Sequence, residues 1–265
     1  MKPHSFTSRP SLLLASFLIL PHLSSAAIVT WSGLDGDDLF SNGGNWLGGN
    51  APANNDYQDT ARFEVSATPS TISLGGNRSL DTLDFQSAGW TITGNQFNNI
   101  DLINSAGAGT NTIASGINAF ADRTWNVATG NTLHFTGVFY LRNKTINLTG
   151  GGVVELDNTM TGFGGASEFG LALSDITLVM NTTSTGSSNS FVSLDSLGAA
   201  FRIATSVANA ESLASSNRIR DGLGNGLSFT DIGGGFTEVT AVPEPQSLLL
   251  TLGGGLLLGF RRRRG

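Results

Sequence analysis

The chain contains no cysteine, little charge and only three histidines. Without cysteine, disulfides and cysteine-ligated zinc are excluded, so stability has to come from burial and hydrogen bonding. Only 13% of the 265 residues are charged. This disfavours long surface helices, which rely on Glu, Lys, Arg and Ala. The 35 glycines, together with abundant Ser, Thr and Asn, are typical of short strands joined by tight turns.

The N-terminus has the three parts of a secretory signal peptide. Two basic residues precede an apolar run at residues 12–20, which Pro21 ends. Small residues follow, and we expect signal peptidase to cleave after Ala26 or Ala27. We therefore predict a signal-peptide helix at residues 1–27. An ordinary buried helix is the alternative.

The C-terminus combines a short proline-rich motif, an apolar stretch and a basic cluster. The motif consists of Val242, Pro243, Glu244 and Pro245. Residues 247–260 follow it and would rise only ~21 Å as a helix, against ~30 Å for the hydrocarbon core of a bilayer. We predict a short transmembrane helix here, which is shorter than a permanent anchor requires. A stop-transfer cluster on the cytoplasmic side completes the tail: Arg261, Arg262, Arg263 and Arg264.

This three-part order resembles the PEP-CTERM sorting signal of Gram-negative bacteria. The resemblance implies that an exosortase-type membrane peptidase recognises the tail, at residues 241–265, and cleaves near Pro243 to Pro245. It also implies transient anchoring in the inner membrane, followed by delivery to the cell surface or extracellular matrix. A plain single-span anchor is the alternative.

The body between these ends is acidic. The formal net charge of the whole chain is −6, and several basic residues but no acidic ones lie before Ala27 and after Pro245. A processed body is therefore more acidic than the whole chain. Such a body repels nucleic acid and anionic lipid headgroups, so we expect neither as a partner. Neutral glycans and a polysaccharide matrix remain compatible.

Residues 28–70 are predicted to form an N-terminal cap. A Trp-x-Gly opening at Trp31 and an Asn-Trp pair ending at Trp46 precede a Pro-x-x-x-Asp segment. This order resembles the N-terminal cap of autotransporter-type β-helical passenger domains. The two tryptophans could cover the open end of a stacked sheet, which would otherwise aggregate. Stacking of either ring on a sugar is the alternative.

Residues 71–240 alternate apolar and polar side chains with the two-residue period of a half-buried strand. Gly and Asn steps separate these segments every 8–12 residues or so, which indicates an all-β domain. The strands are short, which favours a right-handed parallel β-helix, or solenoid, over a β-sandwich. We predict seven or eight coils of ~20–25 residues. Residues 90–94 and 148–152 resemble the autotransporter-associated repeat, and a short helix is expected at 208–215.

Residues with catalytic or metal-binding potential are few. His134 is the only histidine outside the signal peptide, so a Ser-His-Asp triad would have to use it. Leu133 and Phe135 should face the core, which places His134 outward. This histidine count excludes His-ligated zinc or iron, and we expect no metal and no cofactor. The acidic segment 35–38 lacks the spacing of an EF-hand loop, so a solvated turn is expected.

Paired carboxylates offer the one route to glycoside hydrolysis. Glu155 and Asp157 alternate onto one outward face about 7 Å apart, within the range of catalytic carboxylate pairs. Asp81 with Asp84, and Asp101, are further candidates. No Arg or Lys lies near Glu155 and Asp157 in sequence to complete a lyase-like site. Acids two residues apart on a strand are usually a solvated face, so we predict no enzymatic activity.

The sequence therefore predicts an exported structural or adhesive protein of the cell surface or extracellular matrix. Its expected partners are signal peptidase, an exosortase-type peptidase and extracellular polysaccharide. A carbohydrate-active β-helix enzyme is the first alternative. A glycan-binding module is the second, with Trp90 and Trp125 as its aromatic platforms if their rings are exposed.

Overall fold

A computed structural model describes residues 26–55, 58–64, 70–162 and 167–244. Most of the predicted signal peptide, Pro245, the predicted membrane helix and the arginine cluster lie outside the described residues. Ala26 and Ala27, the predicted cleavage points, are described and exposed.

Two long sheets form the walls of the molecule. The first sheet runs, in spatial order, through β1 (Ile28–Thr30), β2 (Thr60–Phe63), β4 (Arg78–Phe85), β6 (Gln96–Ser105), β9 (Arg123–Val127), β12 (Thr145–Thr149), β15 (Phe169–Ser174), β17 (Ser190–Leu194) and β19 (Ile219–Asp221). The second runs through β3 (Thr71–Ser73), β5 (Thr91–Thr93), β7 (Gly109–Ile113), β10 (Asn131–Phe135), β13 (Val153–Leu156), β16 (Thr177–Met180), β18 (Ala200–Ile203), β21 (Phe236–Ala241) and β20 (Leu227–Gly233). The chain moves from one sheet to the other in each coil.

Shorter elements complete the fold. A third ladder joins β8 (Gly116–Asn118), β11 (Phe139–Tyr140) and β14 (Met160–Thr161), and it branches from the first sheet at β6. A 3-10 helix spans Gly43–Asn45. The α-helix α1 spans Val207–Ser215, and the Ser206 hydroxyl accepts a hydrogen bond from the backbone N–H of Asn209 as its N-cap. The predicted helix at 208–215 is confirmed.

The strand pairing makes the molecule a parallel β-solenoid of about six turns. Every ladder between named strands is parallel except the two that involve β21, which pairs antiparallel with β18 and β20. The predicted all-β solenoid is therefore confirmed, and the sandwich alternative is wrong. The prediction of seven or eight coils is also wrong, because α1 and the β20–β21 hairpin occupy the end of the chain that had been assigned to further coils.

Stacking of equivalent apolar side chains builds the core. In the second sheet the register aligns Ile113, Phe135, Leu156, Met180 and Ile203 on successive strands. All five side chains are almost completely buried. Each contributes roughly 1.5–3 kcal/mol through removal of apolar surface from water. Because side chains alternate along each strand, the residues adjacent in sequence to the buried ones lie on the outer face.

Close packing between coils makes Gly170 sensitive to substitution. Gly170 on β15 pairs with Phe191 on β17, and a Cβ at position 170 would lie well inside van der Waals contact with the Phe191 carbonyl oxygen. We expect Gly170→Ala to lower the free energy of unfolding by about 1–3 kcal/mol, since backbone atoms have to move. Chemical denaturation measures this. Gly76→Ala, where a Cβ would meet no atom within 4 Å, is the control and should be neutral; equal midpoints for both variants would contradict the prediction.

Candidate functional site

The outer face of the second sheet carries a cluster of ionisable side chains. Strand register places His134 on β10 directly beside Glu155 on β13. Asp157 follows the end of β13, and its backbone N–H donates to the carbonyl oxygen of Phe135. The solenoid thus stacks one histidine and two carboxylates, and we call these three residues the His134 cluster.

Distances within the His134 cluster are short. One potential ligand atom from each of the three side chains lies within 4.8 Å of the other two. Nε2 of His134 is 3.0 Å from Oδ1 of Asp157. Nε2 is shielded from solvent, and the Asp157 carboxylate is the charged group beside it.

Asn181 bridges the two carboxylates. Its side-chain amide donates to Oε1 of Glu155 at 2.7 Å and to Oδ1 of Asp157 at 2.8 Å. The backbone N–H of Asn181 donates to the carbonyl oxygen of Leu156, which fixes the residue one coil above Asp157. An amide that donates to both acids lets two like charges sit close together.

The environment of Asp157 lowers its pKa below the ordinary value of 3.8. Partial burial by itself would raise the pKa, but the Asn181 hydrogen bond and the adjacent His134 imidazole outweigh it. A lowered pKa in the folded state means that the ionised form stabilises the fold. That contribution is present above the pKa of the unfolded chain and is lost as the pH falls through the folded value.

The lowered pKa of Asp157 leads to a prediction about stability and pH. We expect wild type to melt above Asp157→Asn at pH 7, and the difference to shrink as the pH falls below about 3.8. The effect should be a few tenths of a kcal/mol, because water screens a carboxylate that is 38% exposed. Melting curves from pH 7 to pH 2.5 with EDTA present would measure it. A difference that stays constant over this range would contradict the assignment.

The other candidate acids occupy separate places on the first sheet. Asp84 is buried and accepts from the Arg62 guanidinium at 2.9 Å and from the Gln86 and Asn104 amides. Asp101 lies 2.6 Å from Arg123, a residue from the next coil. The fold thus places a basic residue beside each of these two acids, and each basic residue lies about 22 positions away in the sequence. Asp81 receives a hydrogen bond from the Thr82 hydroxyl.

All four tryptophans are buried. Trp31 and Trp46 contact each other edge to face, with 5.1 Å between ring centroids, and the Trp46 indole N–H donates to the carbonyl oxygen of Phe40. Trp90 and Trp125 are 3% and 1% exposed. None of the four rings can stack on a sugar, so the interpretation of these residues as glycan platforms is wrong, and the core interpretation is confirmed.

The acidic segment at residues 35–38 is held by amides of its own loop. Asn42 donates to the carboxylates of Asp35 and Asp37, and Asn45 also donates to Asp37. The hydrogen bonds from Asn42 and the backbone N–H of Leu39 lower the pKa of Asp37. These contacts give the segment a structural role within the loop that leads to Trp46.

A polar depression lies at the corner that follows the second sheet. Its volume is about 430 Å³, within the range of small-ligand sites. Amide side chains of Asn77, Asn95, Gln96 and Asn158 line it together with Tyr140. Asn158 directly follows Asp157, so the depression neighbours the His134 cluster along the chain.

The predicted sorting motif begins where the solenoid ends. β21 ends at Ala241, and the backbone N–H of Val242 donates to the carbonyl oxygen of Gly226. Pro243 and Glu244 are exposed. Within the part of the chain that the structure describes, no helix has the length and apolar character needed to cross a membrane.

Fold and termini together define the protein as a β-solenoid that carries its processing signal directly behind its last strand. Residues 241–264 match the PEP-CTERM protein-sorting motif, which confirms the predicted sorting signal. The transmembrane helix within it stays a prediction. The chain is therefore an exported protein that is sorted by an exosortase and is transiently anchored in a membrane before processing. Comparisons with curated proteins and with solved structures found no match. The resemblance of the body to autotransporter-associated repeats stays a prediction.

Proposed function

We propose that the protein is a non-enzymatic structural component of the cell surface or extracellular matrix. The observation that carries this proposal is the direct junction between a β-solenoid and a sorting motif that serves export. In this proposal, export delivers a preformed rod, and the rod itself is the functional unit. A stacked solenoid suits this role because each coil is held by its neighbours along the whole length.

The surface of the rod supports contact with neutral polymers. Its outer faces carry hydroxyl and amide side chains, and the chain as a whole is acidic. Such a surface can donate and accept hydrogen bonds with polysaccharide hydroxyls while it repels polyanions. The absence of cysteine also makes the fold independent of the redox state outside the cell.

The lack of enzymatic activity is part of the proposal. Asn181 holds both Glu155 and Asp157 as hydrogen-bond acceptors, and neither acid forms a salt bridge with Lys or Arg among the described residues. A glycosidase needs one of its two acids protonated as a general acid. The lowered pKa of Asp157 disfavours Asp157 as that general acid.

Deletion of the gene in its host tests this function. We expect the mutant to lose matrix cohesion, measured as polymer released into the medium under shear. Wild type and the double variant Glu155→Gln, Asp157→Asn should both restore cohesion. The purified protein should release no reducing sugar from the host matrix. Reducing sugar that appears with wild type but not with the double variant would establish an enzyme instead.

Glycan binding is a second candidate, favoured by the polar depression beside Tyr140. Amides and one aromatic ring are the groups that hydrogen-bond and stack on sugars. In this case Tyr140→Ala would weaken retention of the protein on isolated host polysaccharide. Leu197→Ala, at an exposed position outside the depression, serves as the matched control. Equal retention of both variants would exclude the depression as the binding site.

A further inference from the structure

We propose that the His134 cluster binds a divalent first-row transition-metal ion, with Zn²⁺ and Mn²⁺ as the fitting species. The ligands are Nε2 of His134 and one carboxylate oxygen each from Glu155 and Asp157. The exclusion of zinc in the sequence analysis considered sites built from several histidines, and it does not apply to one histidine with two carboxylates. This site lies on the outer face of the second sheet and is independent of the sorting signal.

The spacing of the three side chains fits one ion. An ion with ligand bonds of about 2.0–2.2 Å holds neighbouring ligand atoms about 3–3.5 Å apart. His134 and Asp157 already meet at 3.0 Å, and all three ligand atoms lie within 4.8 Å of one another. Small rotations of the half-buried Glu155 carboxylate and the exposed Asp157 carboxylate would supply the remaining adjustment.

The surroundings of His134 also favour a cation. Its Nε2 is shielded from solvent and faces a carboxylate oxygen of Asp157 that lies 3.0 Å away. A bound cation would satisfy this nitrogen, and it would also satisfy the two carboxylates that face it.

Asn181 can supply a fourth ligand. Its amide nitrogen now lies 2.7 Å and 2.8 Å from the two carboxylates. A half-turn of the amide about its terminal torsion exchanges nitrogen for oxygen at nearly the same place. With a cation between the acids, the amide oxygen would face the positive charge, and the donor set would become one nitrogen and three oxygens.

Charge and donor type select the ion. Two carboxylates surround the position, and the nearest cation along the same outward row, Arg202, pairs with Glu238 at 2.7 Å instead. Val179 separates Arg202 from Glu155 in that row. Ca²⁺ and Mg²⁺ prefer oxygen ligands alone, whereas an imidazole nitrogen with carboxylates suits Zn²⁺ and Mn²⁺.

Calorimetric titration of the full-length chain in mild detergent tests the site. We expect one Zn²⁺ or Mn²⁺ ion per chain to bind more tightly than Ca²⁺ or Mg²⁺. His134→Ala and Glu155→Gln should each weaken binding about tenfold or more. Glu211→Gln, which removes an exposed acid on α1, should leave the affinity unchanged. Equal Zn²⁺ affinity in wild type and His134→Ala would overturn the proposal, as would the absence of binding.

A gain-of-function variant separates a metal site from a merely structural cluster. In EDTA, Asn181→Asp should melt below wild type, because a third carboxylate replaces the bridging donor. Zn²⁺ should then raise the melting temperature of Asn181→Asp by more than that of wild type, since the new carboxylate adds a charged ligand. If Zn²⁺ gives Asn181→Asp no larger shift than wild type, the cluster is structural only and the proposal is wrong.

Discussion

Replacing Trp46 with alanine is expected to lower the free energy of unfolding by about 3–5 kcal/mol. The indole is 2% exposed and packs against Trp31, Phe40 and Phe63, with ring centroids 4.8–5.8 Å away. Truncation would leave a cavity among rings that cover the first coil, and it would also remove the donor to the Phe40 carbonyl oxygen. Both losses act on the same buried end of the stack.

The neighbouring residue provides the control for this prediction. Leu47 is adjacent in sequence but 58% exposed, so Leu47→Ala should change stability by less than about 0.5 kcal/mol. Urea unfolding followed by tryptophan fluorescence and circular dichroism measures both variants. Because coils stabilise each other only through their neighbours, the Trp46→Ala transition should broaden as the first coil melts first. A Trp46→Ala midpoint equal to that of Leu47→Ala would show that the ring cluster does not hold the end of the solenoid.

Replacing the Pro-Glu-Pro motif with three alanines is expected to abolish processing of the tail. Pro243 and Glu244 are exposed directly after β21, where a peptidase can reach them, and they lie within the matched sorting motif. Without the motif, the protein should stay in the membrane fraction with Arg261 to Arg264 attached. Terminal-peptide mass spectrometry of the medium and the envelope would report the change as loss of the processed form.

The stability of the solenoid should not change when the motif is replaced. β21 ends at Ala241, so cleavage after Pro243 leaves every described strand intact. The processed and triple-alanine proteins should therefore share one melting temperature. Glu211→Ala, an exposed acid on α1, controls for charge loss and should be processed normally. Release of the triple-alanine protein at the wild-type rate would mean that another segment directs processing.

Alternation along single strands was readable in the sequence because it is a local property. Leu133 and Phe135 are buried and His134 lies between them on the outer face, as the two-residue period predicts. The same reasoning placed Glu155 and Asp157 on one face. The helix α1 and the sorting motif were equally accessible, since each is a continuous segment whose signal does not depend on distant residues.

Contacts between coils could not be read in this way. The distance in space between Asp101 and Arg123 depends on the number of residues in each corner of the solenoid. The same holds for the distances from His134 to Asp157 and from Asp157 to Asn181. Corner lengths vary, because Gly and Asn adopt several turn conformations at similar cost. A shift of one residue in any corner would move these side chains to opposite faces.

The sequence alone thus determined that this chain is an all-β protein with a two-residue hydrophobic period and a C-terminal sorting motif. Only the tertiary structure decided that the stack has about six turns, that it ends in an antiparallel hairpin, and that His134, Glu155 and Asp157 meet at one place. The physical reason is the distance along the sequence over which each signal acts. Hydrophobic period and linear motifs act within a few residues, whereas the His134 cluster exists only because parallel stacking brings residues from successive coils to neighbouring strands.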